Sequence, residues 1–350
     1  MASAALHSIC IVRLSALGDV THMLPVIHTL KAEVPGIQIT WVIGKVEYRL
    51  LGHLPDVEFI IFDKTKGLKA YLDIWQALKG RRFDALLLMQ VALRANLLGW
   101  IIRADRKIGY DRLRAKDFHG LFITEQIAPT PAQHVADSFL SFIETLGIHE
   151  KRYRWDLPKV LGAEQLALNH IEPEQPVMII SPCSSHERRN WHVNGYAAVA
   201  DYAVEHYGMQ VIICGGPSPT EKQMAQEIIR ACTHSKPVNL VGQDTFVEFL
   251  ELLARATVLV TPDSGPMHMA AITDTPVIGL HAASNPLRSG PYKSLEWCVN
   301  QYDQASRKYL GKPSDQIRWG TKIEKQGVMN LVEISQVTGK LDALMKKLKE

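Results

Sequence analysis

The chain has 350 residues, enough for two α/β domains that each bury a core. Apolar residues make up 47% and charged residues 21%, a balance that excludes a disordered chain. A net charge of +3 does not mark a nucleic-acid binder, and apolar runs such as 85–89 and 177–180 fall far short of the roughly 18 residues of a membrane span. Residues 1–20 lack a charged segment followed by a long apolar one, so they are not read as a signal peptide. Cys10, Cys183, Cys214, Cys232 and Cys298 stand apart, without zinc-ligand spacing, which predicts a reduced, cytoplasmic protein.

Along the chain, 8–14 reads as a buried strand, followed by a helical pattern through Val20, Met23, Leu24, Ile27 and Leu30. Strands are predicted at 38–43, 58–62 and 84–89, with a helix over 68–78 between the last two. This alternation implies parallel pairing through right-handed crossovers. After a connector at 156–176 the same grammar restarts, with strands at 177–181, 209–214, 257–261 and 276–280. The expected class is α/β: two similar domains, 1–160 and 161–327, and a helix in 328–350. That helix, with Leu331, Ile334, Leu341, Leu344 and Leu348 at helical spacing, either packs on the second domain or crosses back to the first.

Four segments could carry chemistry, each where a strand turns into a helix and ligands of doubly wound sheets bind. In SALGDV, Gly18 permits a tight turn and Asp19 falls at or near a helix start; an N-capping aspartate without chemistry is the alternative. In 181–192, Ser184 and Ser185 offer hydroxyls, and Arg188 and Arg189 offer charge to a phosphate; an ordinary surface loop looks similar. In TPDSGPMHMAA, Asp263, Ser264 and Gly265 precede a helix whose N–H groups and dipole suit a pyrophosphate, and His268 could donate to it. In CGGPSPTE, Glu221 could grip ribose hydroxyls or be a solvated helix-start residue. Basic residues cluster in the first half: Lys64, Lys66, Lys69, Lys79, Arg81 and Arg82, then Arg94, Arg103, Arg106, Lys107, Arg112, Arg114 and Lys116. Aromatics do not interleave with them as in a single-strand nucleic-acid binder, so an anionic sugar or phospholipid headgroup fits.

Taken in order, RLSALGDVTHMLP, SSHERRNW, GGPSPTE and TPDSGPMHMAA resemble the ADP-heptose:lipopolysaccharide heptosyltransferases over about residues 8–300. The resemblance implies two Rossmann-like domains in a GT-B arrangement, an acceptor-binding N-terminal one and an ADP-heptose-binding C-terminal one, with a cleft between them. It implies transfer with inversion onto the Kdo region of inner-core lipopolysaccharide (Kdo-lipid A), with Asp19 as general base. It puts donor contacts on Ser184, Ser185, Arg189, Glu221, Asp263, Ser264, Gly265 and His268. Arg189 stands where the family has a lysine, which exchanges a compact ammonium for a planar fork.

No DxD motif or carboxylate cluster suggests a magnesium site, so no metal and no cofactor beyond the donor substrate is expected. Gly18, Lys64, Lys66, Lys69, Arg112 and Arg114 are expected to face the anionic acceptor, with peripheral contact to the inner leaflet and no nucleic-acid partner. A later-step core heptosyltransferase, a sugar-nucleotide 2-epimerase and a non-catalytic nucleotide-sugar binder are the alternatives.

Overall fold

Ile9, Cys10, Ile11 and Val12 are all wholly buried, which suits a central strand covered on both faces. In the computed structural model, which describes residues 6–350, they form β1 (Ser8–Val12). The first compact unit, ending at Pro158, continues with α1 (Leu17–Thr21), α2 (Leu24–Glu33), β2 (Gln38–Gly44), α3 (Lys45–Leu51) and β3 (Val57–Phe62). Then come α4 (Leu68–Ala77), β4 (Phe83–Leu88), α5 (Leu93–Ile101), β5 (Ala104–Gly109), β6 (Glu125–Gln126) and α6 (Val135–Thr145). All six strands pair in parallel in the order β3-β2-β1-β4-β5-β6. Crossovers from β1 to β3 run one way along the sheet and those from β3 to β5 the other, so α4 and α5 lie together on one face.

The single helical pattern expected after β1 is two helices. Pro25 lies in the first turn of α2, where its missing N–H costs nothing, but it could not sit inside a helix continued from α1. The segment 104–109, read as part of a basic cluster, is strand β5. Arg106 is bonded there to Glu125 at 2.8 and 2.6 Å, and Lys107 donates to the Gly99 carbonyl at 2.5 Å.

The second unit, from Lys159, holds α7 (Gln165–His170), β7 (Val177–Ile180), α8 (Val193–Tyr207), β8 (Gln210–Ile213), α9 (Pro219–Ala231) and β9 (Val238–Asn239). It continues with α10 (Phe246–Arg255), β10 (Val258–Pro262), α11 (Gly265–Met269), β11 (Val277–His281), α12 (Pro286–Ser289) and β12 (Val299–Asn300). Finally come α13 (Tyr302–Leu310) and α14 (Ile334–Lys347). Its sheet, β12-β11-β10-β7-β8-β9, repeats the connectivity of the first and is again wholly parallel. α14 packs against α8, β11 and β12 of this unit through buried Val337, Leu341, Leu344 and Met345. Tyr202 and Tyr207 hold it by donating to Asp342 at 3.0 and 2.6 Å.

Candidate active site

In each sheet the strand order reverses beside the first strand of the unit, and loops diverge there at the carboxyl edge. In the first unit these are the loops after β1 and β4. Gln90 ties them together: its Oε1 accepts from the Leu14 N–H at 2.8 Å and the Ser15 N–H at 3.3 Å. Gly18 and Asp19 lie in α1, with Ala16 as N-cap, so Asp19 is the third helical residue and not the cap. Its Oδ2 accepts from the Ala16 N–H at 3.3 Å and is ion-paired with Arg13. Oδ1 makes no hydrogen bond among the described residues, and the side chain keeps 34% of its surface exposed. One oxygen is thus fixed and the other open, the state in which a carboxylate can take a proton from a bound hydroxyl.

Arg13 leaves the end of β1 nearly buried, lies over the Phe139 ring at 4.9 Å and donates to the Met89 carbonyl at 2.5 Å. Its Nε is buried without a partner, so the side chain is held by its two terminal nitrogens. The sequence carried a signal for it that went unread: a lone charge at the end of an otherwise apolar strand.

The second unit gathers charge at the corresponding place, around the loops after β7 and β10. Asp263 is buried, with His268 Nε2 at 4.0 Å and Arg189 Nη1 at 3.9 Å. Burial alone would raise its carboxyl pKa, but His281, His268, Lys322 and a Ser284 hydrogen bond outweigh it, and the net shift is downward. His281 is pushed down to about 4 by burial, so it is neutral at neutral pH. Arg189 is engaged by Glu324 through Nε at 2.8 Å and Nη2 at 2.7 Å. Ser264 shares a 2.9 Å bond with Thr261.

The loop after β7 closes on itself. Ser184 donates its N–H to Asn190 Oδ1 at 2.7 Å and its hydroxyl to the His186 carbonyl at 2.9 Å, while Ser185 is exposed. Cys183, beside them, stays a thiol because burial pushes it up to about 12. Glu221 folds back onto the glycine turn, accepting from the Gly216 N–H at 2.6 Å and the Ser218 hydroxyl at 3.0 Å. It is a helix-start residue bonded into the turn, not a solvated one.

Two expectations change. The helix after Asp263 is only α11, five residues long from Gly265, so the favourable charge comes chiefly from side chains and not from a helix dipole. Arg114 is not available to an acceptor: its three nitrogens engage Asp111, Gln133 and Ser138, and the Ala128 carbonyl. Of the remaining basic residues, Lys66 is paired with Asp73 at 2.7 Å and Arg81 with Glu58 at 2.7 Å. Lys64, Lys69 and Arg112 are exposed and form no ion pair among the described residues.

Residues 71–316 match the model of glycosyltransferase family 9 (heptosyltransferase). The chain belongs to this family. As a heptosyltransferase, it is 37% identical over 337 residues to the lipopolysaccharide core heptosyltransferase OpsX of Haemophilus influenzae, with 96% of each chain covered. Among solved structures, its fold resembles a family 9 glycosyl transferase from Veillonella parvula at a TM-score of 0.80, 20% identity and 99% coverage of both chains. It also resembles the E. coli ADP-heptose lps heptosyltransferase II at a TM-score of 0.74 and 18% identity, covering 98% of this chain and 100% of that one. The fold is thus of GT-B type and the protein is a glycosyltransferase, which removes the 2-epimerase reading.

Among the described residues of this heptosyltransferase, no group of three or more His, Cys, Asp or Glu is arranged to hold a metal ion. No described helix is long and apolar enough to cross a membrane. Lys322 and Glu324, which complete the charge cluster around Asp263 and Arg189, escaped sequence reasoning altogether. They lie in an irregular stretch with no periodicity, and Glu324 meets Arg189 across 135 residues.

Proposed function

We propose that this heptosyltransferase moves L-glycero-D-manno-heptose from ADP-heptose to the Kdo region of the lipopolysaccharide inner core, in one inverting, metal-independent displacement. The observation that carries this reading is Asp19, with Oδ2 held by Arg13 and Oδ1 open at the switch point of the first sheet. The similarity to a lipopolysaccharide core heptosyltransferase supports the acceptor class, and the likeness to an ADP-heptose enzyme is consistent with the donor.

In this displacement the acceptor oxygen bonds to the anomeric carbon as the bond from that carbon to the β-phosphate oxygen breaks. The hydroxyl proton passes to Asp19 Oδ1, and ADP leaves with the added negative charge. Arg189, His268 and Lys322, with the Ser184 and Ser185 loop and the Asp263–Gly265 turn, would receive that charge. The ADP ribose would approach the turn closed by Glu221. Gly18 would let the acceptor come close to Asp19, while Lys64, Lys66, Lys69 and Arg112 would draw its carboxylates and phosphates. The same positive charge would hold the enzyme peripherally at the cytoplasmic face of the inner membrane.

The test is to incubate the enzyme with ADP-heptose and deacylated Kdo-lipid A, with and without EDTA, and to follow ADP release and acceptor mass. Equal rates with EDTA and a gain of one heptose are expected. Transfer only to a heptose-extended core would move the enzyme to a later step. No ADP release with any core acceptor would overturn the proposal.

A further inference from the structure

α4 carries two apolar stripes. Ala70, Ile74 and Leu78 turn inward and are buried, whereas Leu68, Leu72 and Trp75, at i, i+4 and i+7, stand in solvent. α5 repeats the outward pattern with Leu93 and Trp100. The segment after β5 adds Phe118 and Leu121, 79% and 75% exposed.

These pieces form one surface. Tyr71 of α4 donates to the Arg94 carbonyl at 3.2 Å. The Leu93 N–H donates to Asp117 at 3.1 Å, Asn96 donates to the Asp117 carbonyl at 2.9 Å, and the Trp100 ring meets Phe122 edge-on at 5.9 Å. Phe118 follows Asp117 at left-handed φ values of 59° and 51°, a conformation bulky residues seldom adopt. This backbone conformation presents the Phe118 ring largely to solvent, at 79% exposed.

Soluble proteins rarely expose so much contiguous apolar surface without a partner. Its charge surroundings indicate which. Lys64, Lys69, Arg94, Arg112 and Lys116 border the face, all exposed and without an ion pair among the described residues. Of the nearby acids, Asp73 is paired with Lys66, and Asp117, which accepts from the Leu93 N–H, is a single negative charge against these five positive ones. Trp, Phe and Leu on one face with a Lys/Arg border is the composition of a surface that lies in a lipid interface.

We propose that the outward faces of α4 and α5, with the Phe118–Leu121 segment, insert into the interface of an anionic bilayer. This deepens the inner-leaflet contact proposed above by naming its apolar residues, and its test needs no sugar substrate, so the two can fail separately.

The test measures cosedimentation of the full chain with phosphatidylglycerol/phosphatidylethanolamine vesicles and with phosphatidylcholine vesicles, for wild type and for the combined Trp75→Ser, Trp100→Ser and Phe118→Ser variant. Wild type should partition onto the anionic vesicles, and the variant should lose at least tenfold. Arg94→Ala with Lys116→Ala should lower binding to anionic vesicles and leave it unchanged on neutral ones. Because the three apolar side chains are exposed, the serine variant should keep its thermal unfolding midpoint and its transfer rate on a deacylated, soluble acceptor. Wild type that stays in the supernatant, or a serine variant that binds like wild type, would overturn the proposal. Self-association by light scattering that the serine variant abolishes, without vesicle binding, would assign the face to a second copy of the chain and also overturn it.

Discussion

The two units share one strand connectivity and spend it differently. At the switch point of the first, a single carboxylate, Asp19, stands a third exposed with one cationic partner. At the switch point of the second, Asp263 is buried among Arg189, His268 and Lys322. The outer surfaces differ as well. Exposed tryptophan and phenylalanine occur on the first unit, on α4, α5 and the segment after β5, whereas the second exposes scattered aliphatic residues such as Leu161, Leu287 and Leu348. The repeated sheet therefore fixes where a ligand can bind and leaves the chemistry to loop residues.

If the second unit holds the leaving diphosphate, removing its nearest guanidinium should show in the donor and not in the acceptor. Arg189→Ala is expected to raise the donor KM by about 10- to 100-fold, the worth of a hydrogen bond to a charged group. Steady-state kinetics with both substrates varied would show it, and an equal rise in acceptor KM would blur the division between units. Arg13→Ala, which frees Asp19 Oδ2 to turn, should lower kcat by roughly tenfold through misplacement of the carboxylate, with donor KM unchanged. Arg13→Lys should recover part of the loss.

A smaller effect is expected at the rim of the first unit. Neutralising Lys64 and Lys69 should raise acceptor KM several-fold at low salt and less at high salt, while Lys66→Ala, whose charge is already matched by Asp73, should do less. Equal changes in donor and acceptor KM would remove the acceptor role of this rim. The smallest effect is on stability. Burial, with Glu248 and Glu221 adding to it, pushes Asp244 up to about 7, above its ordinary carboxyl value. The folded state therefore binds this proton more tightly than the unfolded one, and stability falls as pH rises from about 4 to about 7. Asp244→Asn should raise the unfolding midpoint at pH 8 and leave it unchanged at pH 4, by differential scanning fluorimetry.

Much of this architecture was legible because central parallel strands must be continuously apolar, as β1, β7 and β10 are. β5 was not, since its sequence ADRKIG puts three charged residues in a row and reads as a basic cluster until Glu125 is seen to neutralise Arg106. The two-residue strands β6, β9 and β12 are too short to leave a pattern. Asp19, Glu221 and Asp263 were readable from their places just after strands. Their partners were less so: Glu324 and Lys322 reach the site from an irregular segment, and only the folded chain brings them to Arg189 and Asp263. The outward apolar stripe of α4 was hidden because its inward stripe already explained the helix.

If Asp19 takes the proton of the acceptor hydroxyl, removing its negative charge should stop transfer and spare nucleotide binding. The measurement is single-turnover transfer by Asp19→Asn, set beside its ADP affinity by calorimetry on the same preparation. The transfer rate should fall by about 10²- to 10⁴-fold, the usual contribution of a positioned general base, with ADP affinity unchanged. Transfer within a fewfold of wild type would contradict it and return Asp19 to the part of a helix-start residue held by Arg13.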